Sequence, residues 1–293
     1  MGVTPVALDL SYARAVPIKP FQARRISLLI VGLGGNGSFL ARHAACLVTL
    51  LRAAGKEATL TFIDPDTVEE VNIPRQNFCR AEIGRYKTET LARRYCDAFG
   101  IEIAYIPESF EPTMAQSRCD TLTVLVGCMD RAAGRVALEE ALKQNRQYVA
   151  GKSCPRVWYL DLGNGLDFGQ LALGSTDRVE DLVPAFSLSA LGCVSLLPSP
   201  LLQLPKLREP QPEELASRAL SCAELLAANA QSLMINPKMA DEGASYLYEF
   251  LVLGTLRRFA TFIDIPTGTM RSRYTTPEQL AEAISRDPSF FGR

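Results

Sequence analysis

The sequence is almost free of histidine, with His43 the only one among 293 residues. It also contains no CxxC pair, because its eight cysteines are scattered along the chain. A zinc site of cysteine and histidine would have to be assembled from distant residues, so we expect none. We interpret most of these cysteines as small buried apolar residues. The eight are Cys46, Cys79, Cys96, Cys119, Cys128, Cys154, Cys193 and Cys222.

The chain also lacks an excess of either charge, a secretory signal and a membrane span. Thirty-one basic residues against thirty-two acidic ones leave a formal net charge of -1, which excludes the large basic field of a nucleic-acid binder. No apolar run approaches the ~18 residues of a membrane span, and the N-terminus has no charged start with an apolar core. We therefore expect a cytoplasmic protein that binds neither membrane nor nucleic acid. With 47% hydrophobic residues, it can fold as one large domain or two closely joined ones.

Short apolar stretches alternate with helical stretches through the first half of the chain. This spacing predicts an α/β fold, a doubly wound, Rossmann-like and mainly parallel sheet with right-handed crossovers. The predicted strands lie in "RRISLLIVG", "ATLTFID", "IEIAYI", "TLTVLVG" and "QYVAG", and the predicted helices in "SFLARHAACLVTLLRAA", "GRYKTETLARRYCDAFG" and "RAAGRVALEEALKQN".

The pattern changes after residue 157. "VWYLDLGNGLDFGQLALG" predicts two antiparallel strands that extend the sheet at one edge. Residues 174–212 form a proline-rich connection that is too long for an ordinary loop unless it is functional or mobile, and we interpret it as a crossover loop. Two helices, two more strands and a short amphipathic helix should follow, in "EELASRALSCAELLAANAQSL", "KMADEGASYLYEFLVLGTLRR", "FATFIDI", "GTMRSRY" and "TTPEQLAEAISRDPSFFGR".

A glycine-rich turn, "GLGGNG", joins the first predicted strand to the first long helix. Glycines there let the backbone approach phosphate groups, and the amide groups at the helix start attract their negative charge. Taken alone, the turn fits a nicotinamide or flavin dehydrogenase as well as an ATP-binding protein. The candidate nucleotide-binding residues of the turn are Gly32, Gly34, Gly35, Asn36 and Gly37.

Polar residues follow the second and fourth strands. Asp64, at the end of the second strand, is placed to accept hydrogen bonds from ribose hydroxyls. Two cations with amide donors suit a triphosphate, and Asp130 after the fourth strand suits Mg²⁺ bridging phosphate oxygens. This set favours ATP over NAD. Its members are Asp64, Asp66, Asn72, Arg75, Gln76, Lys87 and Asp130.

Each of these residues also has a simpler interpretation. Arg75 and Lys87 fit surface charges, and Asp64 fits a turn cap, as does its neighbour Asp66. Asn72 fits a side chain that holds its own loop. Asp130 fits the N-cap of the helix that follows it, a role compatible with metal binding.

The motifs "GLGGNG", "FIDPDTVEEVNIPRQNF", "GRYKTETLA" and "VGCMDRAAGR" resemble, in order and spacing, the adenylation core of ubiquitin-activating enzymes and of the ThiF and MoeB adenylyltransferases. The series D-x-D-x-V-x-x-x-N-x-x-R-Q, then K, then C-x-D is far more specific than the glycine turn alone. In "YLDLGNGLDFGQLALG", "SCAELLAANAQSLMIN" and "FIDIPTGTMRSRY" the chain looks closest to the ThiF-related proteins of bacterial PRTRC cassettes. The resemblance covers roughly residues 25–275. MoeB-type proteins carry paired CxxC motifs, and this chain has none.

The resemblance implies a single adenylation domain over residues 1–293. Its parts would be an arm (1–24), a nucleotide-binding core (25–173), a crossover region and helix (174–235), a C-terminal helix with strands (236–275) and a tail (276–293). The substrates implied are ATP with Mg²⁺ and the C-terminal carboxylate of a ubiquitin-like β-grasp protein, with a conjugating enzyme as a further partner. The family also implies a homodimer in which an arginine of the arm reaches the other subunit's ATP; Arg14 is the first candidate, with Arg24 and Arg25 as alternatives.

Many relatives transfer the activated carboxylate to a cysteine, forming a thioester. Cys222 is similar in position to that cysteine of ThiF-like proteins. It also fits a buried residue on an amphipathic helix. Ser221 and Cys193 are alternatives, and Cys128 is interpreted as a packing residue. Two rival functions stay open: adenylation of a peptide, a small molecule or RNA without a thioester, and a non-catalytic scaffold of the same fold.

Overall fold

A computed structural model of the chain describes residues 10–116, 118–146, 154–186, 192–210 and 233–291. Its framework is an eight-stranded sheet with the strand order β3-β2-β1-β4-β5-β6-β7-β8. Strands β1 to β5 run parallel, whereas β6, β7 and β8 each pair antiparallel with the strand before them. The predicted Rossmann-like sheet with an antiparallel extension is confirmed. The strands are β1 Arg25–Val31, β2 Glu57–Ile63, β3 Ala104–Ile106, β4 Thr121–Gly127, β5 Val157–Asn164, β6 Phe168–Gly174, β7 Arg258–Asp264 and β8 Thr269–Tyr274.

The helices begin and end at residues with recognisable local chemistry. Gly100 ends α3 in the left-handed conformation, with φ of 64°. Thr276 caps α7 by accepting a hydrogen bond from the Gln279 amide, and Pro277 fills the first helical position. The helices within the described residues are α1 Ser11–Arg14, α2 Gly35–Ala53, α3 Lys87–Phe99, α4 Ala132–Gln144, α5 Pro200–Gln203, α6 Ile235–Tyr248 and α7 Pro277–Ala283, and a π-helical turn, Glu249–Leu253, continues α6.

The core lies on both faces of the parallel strands. In β1, Leu28 and Ile30 belong to one hydrophobic cluster, while Leu29 and Val31 belong to the other. This alternation follows from the two-residue period of a strand, and burial on both faces is typical of parallel sheets. Residues of α2 and α6 join the first cluster and residues of α4 join the second. The sheet is therefore enclosed between helices.

Some sequence predictions differ from the structure, and others concern residues outside the described ranges. β3 is shorter than the predicted Ile101–Ile106, because only Ala104–Ile106 pairs with β2. β5 and β6 form the predicted antiparallel pair, and β5 also pairs parallel with β4, which the pattern did not indicate. The predicted strand "QYVAG" and most of the predicted helix over 213–233 lie outside the described residues.

The described parts of the long connection after β6 pack into the protein. Val194 and Leu197 are fully buried, and the Ser175 amide donates to the Leu197 carbonyl at 2.9 Å. Ser199 caps α5 and its hydroxyl donates to Glu139 of α4 at 2.5 Å. These segments are therefore core structure rather than a projecting loop.

Candidate functional site

The carboxyl ends of β1, β2 and β4 meet around the glycine-rich turn. The Gly32 amide donates to the Ile63 carbonyl at 2.9 Å, and the Cys128 amide donates to the Val31 carbonyl at 2.8 Å. Gly32 has φ of +87°, and a Cβ there would lie 2.8 Å from the Cys128 carbonyl oxygen. Glycine is required for both reasons. The strand order reverses at β1, and in open α/β sheets ligands bind at this reversal, beyond the carboxyl ends of the strands.

Helix α2 begins inside the glycine turn, at Gly35 rather than at the predicted Ser38. A Cβ on Gly37 would lie 1.9 Å from the Gly32 carbonyl oxygen, so this close approach depends on glycine. Within the described ranges, a Cβ on Gly34 would meet one atom, Nε2 of Gln76, at 3.9 Å. The turn is thus packed tightly on the strand side and open near Gly34, an arrangement suited to binding phosphate with backbone amides.

Asp64 is buried beside the turn. Its carboxylate accepts hydrogen bonds from the Leu33 amide at 2.5 Å and from the Asp66 amide at 2.8 Å. Burial raises the pKa of Asp64, while the charge of Lys87 and the two amide donors act in the opposite direction. The bond to Asp66 is an Asx turn, so the turn-forming interpretation of Asp64 is part of its role. A carboxylate has about four acceptor sites, so two stay available for ribose hydroxyls.

Lys87 is not a surface charge. Its side chain is 6% exposed, and its Nζ lies 2.9 Å from the Asp66 Oδ2 atom. The Asp66 side chain is 65% exposed, so the ion pair joins a buried cation to a carboxylate at the surface. A phosphate group that reached this position would meet a cation already held in place.

Arg75 and Asp130 lie close enough for their charges to interact. Arg75 is half-buried, and burial lowers the pKa of its guanidinium while Asp130 raises it. Asp130 is exposed and makes no ion pair within 4 Å in the described part of the chain. Helix α4 has Arg131, not Asp130, as its N-cap residue, without a side-chain capping bond. The N-cap interpretation of Asp130 is therefore wrong.

The amide side chains around the turn are buried. Asn72 Oδ1 accepts from the Glu69 amide at 2.9 Å, so Asn72 holds its own loop, as the simpler interpretation predicted. Asn36 donates to the Leu162 carbonyl at 3.1 Å. The side-chain oxygens of Asn36 and Gln76 are buried, and neither has a donor among the described residues. Buried acceptors of this kind are normally satisfied, so ligand or water donors are expected there.

Asn236 is a member of the site that the sequence did not reveal. It is 1% exposed, donates to the Arg75 carbonyl at 3.0 Å and accepts from Asn164 at 3.2 Å. A Cβ on Gly35 would lie 2.6 Å from its Oδ1 atom, so Asn236 also packs on the glycine turn. The only local signal is an Asn-Pro pair at the start of α6. One amide therefore joins α6, β5 and the Arg75 loop.

We expect Asn236→Ala to weaken ATP binding, because it frees the Arg75 loop from α6. Leaving buried partners unsatisfied should also lower the free energy of unfolding by about 1–3 kcal/mol. Calorimetric titration with ATP and thermal unfolding measure the two effects. Asn145→Ala is a matched control, since Asn145 bonds the Ala115 and Ala141 carbonyls instead. An unchanged ATP affinity in Asn236→Ala would contradict this role.

The candidate cysteines differ in their surroundings. Cys128 is buried, and burial raises the pKa of its thiol, which agrees with a packing residue. Cys193 is half-buried near Cys154, whose pKa is raised by burial although its thiol bonds to Ser195. Cys222 and Ser221 lie outside the described residues.

The arginines of the arm make surface ion pairs within their own chain. Arg14 lies 3.7 Å from Glu278, and both side chains are more than half exposed. Arg24 and Arg25 pair with Glu57 at the amino ends of β1 and β2, the opposite edge of the sheet from the glycine turn. The predicted contact of Arg14 with a second subunit stays a prediction.

The described residues contain no group of three or more His, Cys, Asp or Glu side chains arranged to hold a metal ion. Mg²⁺ is commonly held by one or two carboxylates together with substrate phosphates, so Asp130 alone fits a shared site of that kind. Within the same residues, no helix is both long and apolar enough to cross a membrane.

Comparison with known proteins relates this geometry to other structures. PaaA is 14% identical with a TM-score of 0.53, over 86% of this chain and 65% of PaaA. E. coli MccB solved with ATP is 16% identical with a TM-score of 0.52, over 85% of this chain and 63% of that one. E. coli MccB solved with MccA-N7isoASN is 17% identical with a TM-score of 0.53, over 91% of this chain and 67% of that one. The chain thus spans just under two thirds of PaaA and of the ATP complex, and identities this low show a shared fold alone.

No curated protein matches the sequence. The model of the ThiF family does match it, from residue 20 to residue 157, a range that holds β1 to β4 and every candidate nucleotide-binding residue. The closer similarity to the PRTRC branch stays a prediction. Residues 20–157 of this chain, just under half of its length, are therefore similar to the ThiF family.

Proposed function

We propose that this protein is an ATP-dependent adenylyltransferase that activates the C-terminal carboxylate of a ubiquitin-like protein. A carboxylate oxygen of that protein attacks the α-phosphorus of ATP, the bond from the α-phosphorus to the bridging oxygen breaks, and pyrophosphate leaves. The product is an acyl-adenylate. Such a reaction depends chiefly on positioning and on neutralising the charge of the phosphates.

One observation supports this proposal above the others: Lys87 and Arg75 are both at least half-buried beside the glycine turn, with Asp130 close to Arg75. Hydride transfer has no need of two cations and a carboxylate in that place. We assign the ribose to Asp64 and the phosphates to the glycine turn with Arg75, Gln76 and Lys87. A scaffold without turnover would have no physical reason to hold the buried cation.

We assign Mg²⁺ to Asp130 and the phosphates of ATP. The bound ion would supply charge neutralisation for the leaving pyrophosphate. Asp130 would hold the ion, and Arg75 would bind the phosphates.

A second candidate substrate is a peptide that is not ubiquitin-like. MccB, similar in fold, has been solved with MccA in several forms, one of them labelled with selenomethionine, so MccA is a polypeptide. Both candidates present a C-terminal carboxylate to the same site, and they differ in what surrounds it.

The deciding experiment is exchange of labelled pyrophosphate into ATP, measured with candidate ubiquitin-like proteins and with short peptides. Exchange that depends on a ubiquitin-like protein supports the first candidate, and exchange with peptides alone supports the second. Asp130→Asn keeps the shape of the side chain and should abolish exchange while thermal unfolding is unchanged. If none of the carboxylate substrates supports pyrophosphate exchange by the wild-type protein, the proposed function fails.

We further propose that Cys222 accepts the acyl group from the adenylate, releasing AMP and forming a thioester. An adduct with the ubiquitin-like protein should then appear with ATP, disappear on treatment with thiol and be absent from Cys222→Ala. Cys193→Ala is the matched control and should keep the adduct. An adduct that resists thiol and is lost in Ser221→Ala would assign an oxyester to Ser221 instead.

We also propose that the enzyme works in the cytoplasm as a homodimer, with Arg14 of one subunit completing the other subunit's site and a conjugating enzyme receiving the thioester. Mixing Arg14→Ala subunits with Asp130→Asn subunits tests whether Arg14 of one subunit completes the site of the other. Restored exchange in the mixture, where neither variant alone is active, is expected for a site shared between subunits. Exchange by Arg14→Ala equal to wild type would contradict it.

A further inference from the structure

A buried ion pair lies beneath the loop that carries Asp130. Arg135, from the first turns of α4, is 5% exposed, and Asp161, from β5, is fully buried. Arg135 Nε lies 3.3 Å from Asp161 Oδ1, and the Tyr159 hydroxyl donates to the same oxygen at 2.5 Å. Neither charged residue has a part in the proposed reaction, so their burial needs a separate explanation.

The guanidinium of Arg135 makes a second bond, to the Asp130 loop itself. Its Nη2 donates to the Met129 carbonyl at 2.6 Å, in the peptide that joins Met129 to Asp130. The loop is otherwise held at one end by the Cys128 amide, which bonds Val31, and at the other by the first helical bond of α4, at 3.4 Å. No side chain caps α4. Among the described residues, Arg135 is thus a side chain that holds the middle of the loop by a hydrogen bond to its backbone.

The surrounding backbone is shaped to hold these side chains. Asp161 lies opposite Gly127 in the β4–β5 register. A Cβ on Gly127 would lie 2.8 Å from the Tyr159 ring, and a Cβ on Gly163 would lie 3.1 Å from the Arg135 guanidinium. Glycines on two adjacent strands thus leave space for the ring and for the guanidinium.

Stability alone does not account for such a pair. Burying two charges requires their desolvation, and well-packed apolar residues in their place are often as stable or more so. A bidentate guanidinium, in contrast, holds two acceptors in one fixed geometry, which neither an apolar side chain nor lysine can do. We therefore infer that Arg135 serves to position the loop rather than to stabilise the fold.

We propose that Arg135 is a positioning residue: held by Asp161, it fixes the Met129–Asp130 peptide so that the Asp130 carboxylate meets the magnesium ion of Mg·ATP. This inference rests on the proposed function, because it concerns the same site. It extends that function by assigning a role to Arg135, Asp161 and Tyr159, which bind no substrate.

A double-mutant cycle on Mg·ATP affinity, measured by calorimetry, tests the proposal. Arg135→Lys keeps the charge but cannot bond Asp161 and Met129 together, and we expect a loss of about 10-fold, in the range for residues that orient metal ligands. ATP binding in EDTA should not change. In the Asp130→Ala background, Arg135→Lys should cause no further loss, because its effect passes through Asp130. Arg258→Lys, which alters another largely buried ion pair, with Glu242, is the control and should bind as wild type does.

Other results of the same measurements would contradict the proposal. If Arg135→Lys lowers affinity by the same factor with and without Asp130, or equally in EDTA, the role is structural and the proposal is wrong. Should Arg135→Lys fail to fold, the variant Arg135→Met with Asp161→Asn removes both charges and enters the same cycle. Wild type that binds no Mg·ATP would overturn the proposed function and this inference together, whereas additive losses overturn the inference alone.

Discussion

Lys87→Met is expected to reduce pyrophosphate exchange by about 100- to 1,000-fold, the usual effect of removing one preorganised group that stabilises developing charge. The cation is held at the start of α3 with 6% of its side chain exposed, so it does not have to give up a full hydration shell when a phosphate arrives. A cation in such surroundings acts more strongly than one in open water.

The fold of Lys87→Met should survive. Methionine has a similar length, and removing one charge of a pair is costly chiefly when the charge left behind stays buried. Asp66 can face water, since its side chain is 65% exposed. Thermal unfolding checks this, and Lys56→Met is the matched control, because Lys56 bonds the Ala23 carbonyl at the far edge of the sheet. Wild-type exchange in Lys87→Met would refute the phosphate role of Lys87.

A second large effect is expected for Gly37→Ala, which should lower the stability of the protein. Helix propensity alone would predict a gain in stability. Alanine inside a helix is normally favoured over glycine by up to about 1 kcal/mol. At Gly37, however, the new Cβ would lie 1.9 Å from the Gly32 carbonyl oxygen, which belongs to the backbone and cannot rotate away. We expect a loss of about 1–3 kcal/mol in the free energy of unfolding, as for other overpacked sites. ATP binding should fall with it, because the glycine turn must shift.

Gly34→Ala supplies the control for that experiment. In the part of the chain that the structure describes, its Cβ would meet Gln76 Nε2 alone, at 3.9 Å, so stability should change by less than about 0.5 kcal/mol. Chemical denaturation measures both variants, and calorimetry measures ATP binding. A Gly37→Ala protein more stable than wild type would show that propensity outweighs the contact.

The sheet could be predicted well from the sequence, because the spacing of apolar residues and the positions of glycines at turns are local properties of the chain. β4 begins and ends at the first and last residues of "TLTVLVG". The strand pairs β5–β6 and β7–β8 are antiparallel hairpins, each joined by a short turn. The pairing of β5 with β4 was not predicted, because periodicity carries no information about which neighbour a strand joins. The division of the chain into an arm, a core, a crossover region and C-terminal parts stays a prediction.

The sequence indicated candidate site residues mainly in the segments that follow strands. Asp64, Arg75 and Asp130 lie in such segments, and Lys87 lies at the start of the next helix. Asn236 reaches the Arg75 loop from 161 residues away, and the Arg135–Asp161 pair is formed by packing α4 on β5. Polar residues of this kind look like ordinary surface residues until the topology buries them. Cys222, predicted from the resemblance, lies outside the described residues.

The strand order has a consequence for how the chain folds. β1 pairs with β4, which begins 96 residues later, whereas β5–β6 and β7–β8 are hairpins whose strands are close in the chain. Non-local pairing is slow, since the entropy of closing a long loop is lost before its contacts form. The glycine turn follows β1 and packs against Cys128 just after β4, so the nucleotide crevice is completed only after this late step. A nascent chain shorter than about 130 residues has no crevice, and ATP can stabilise only molecules in which the central strands have already paired.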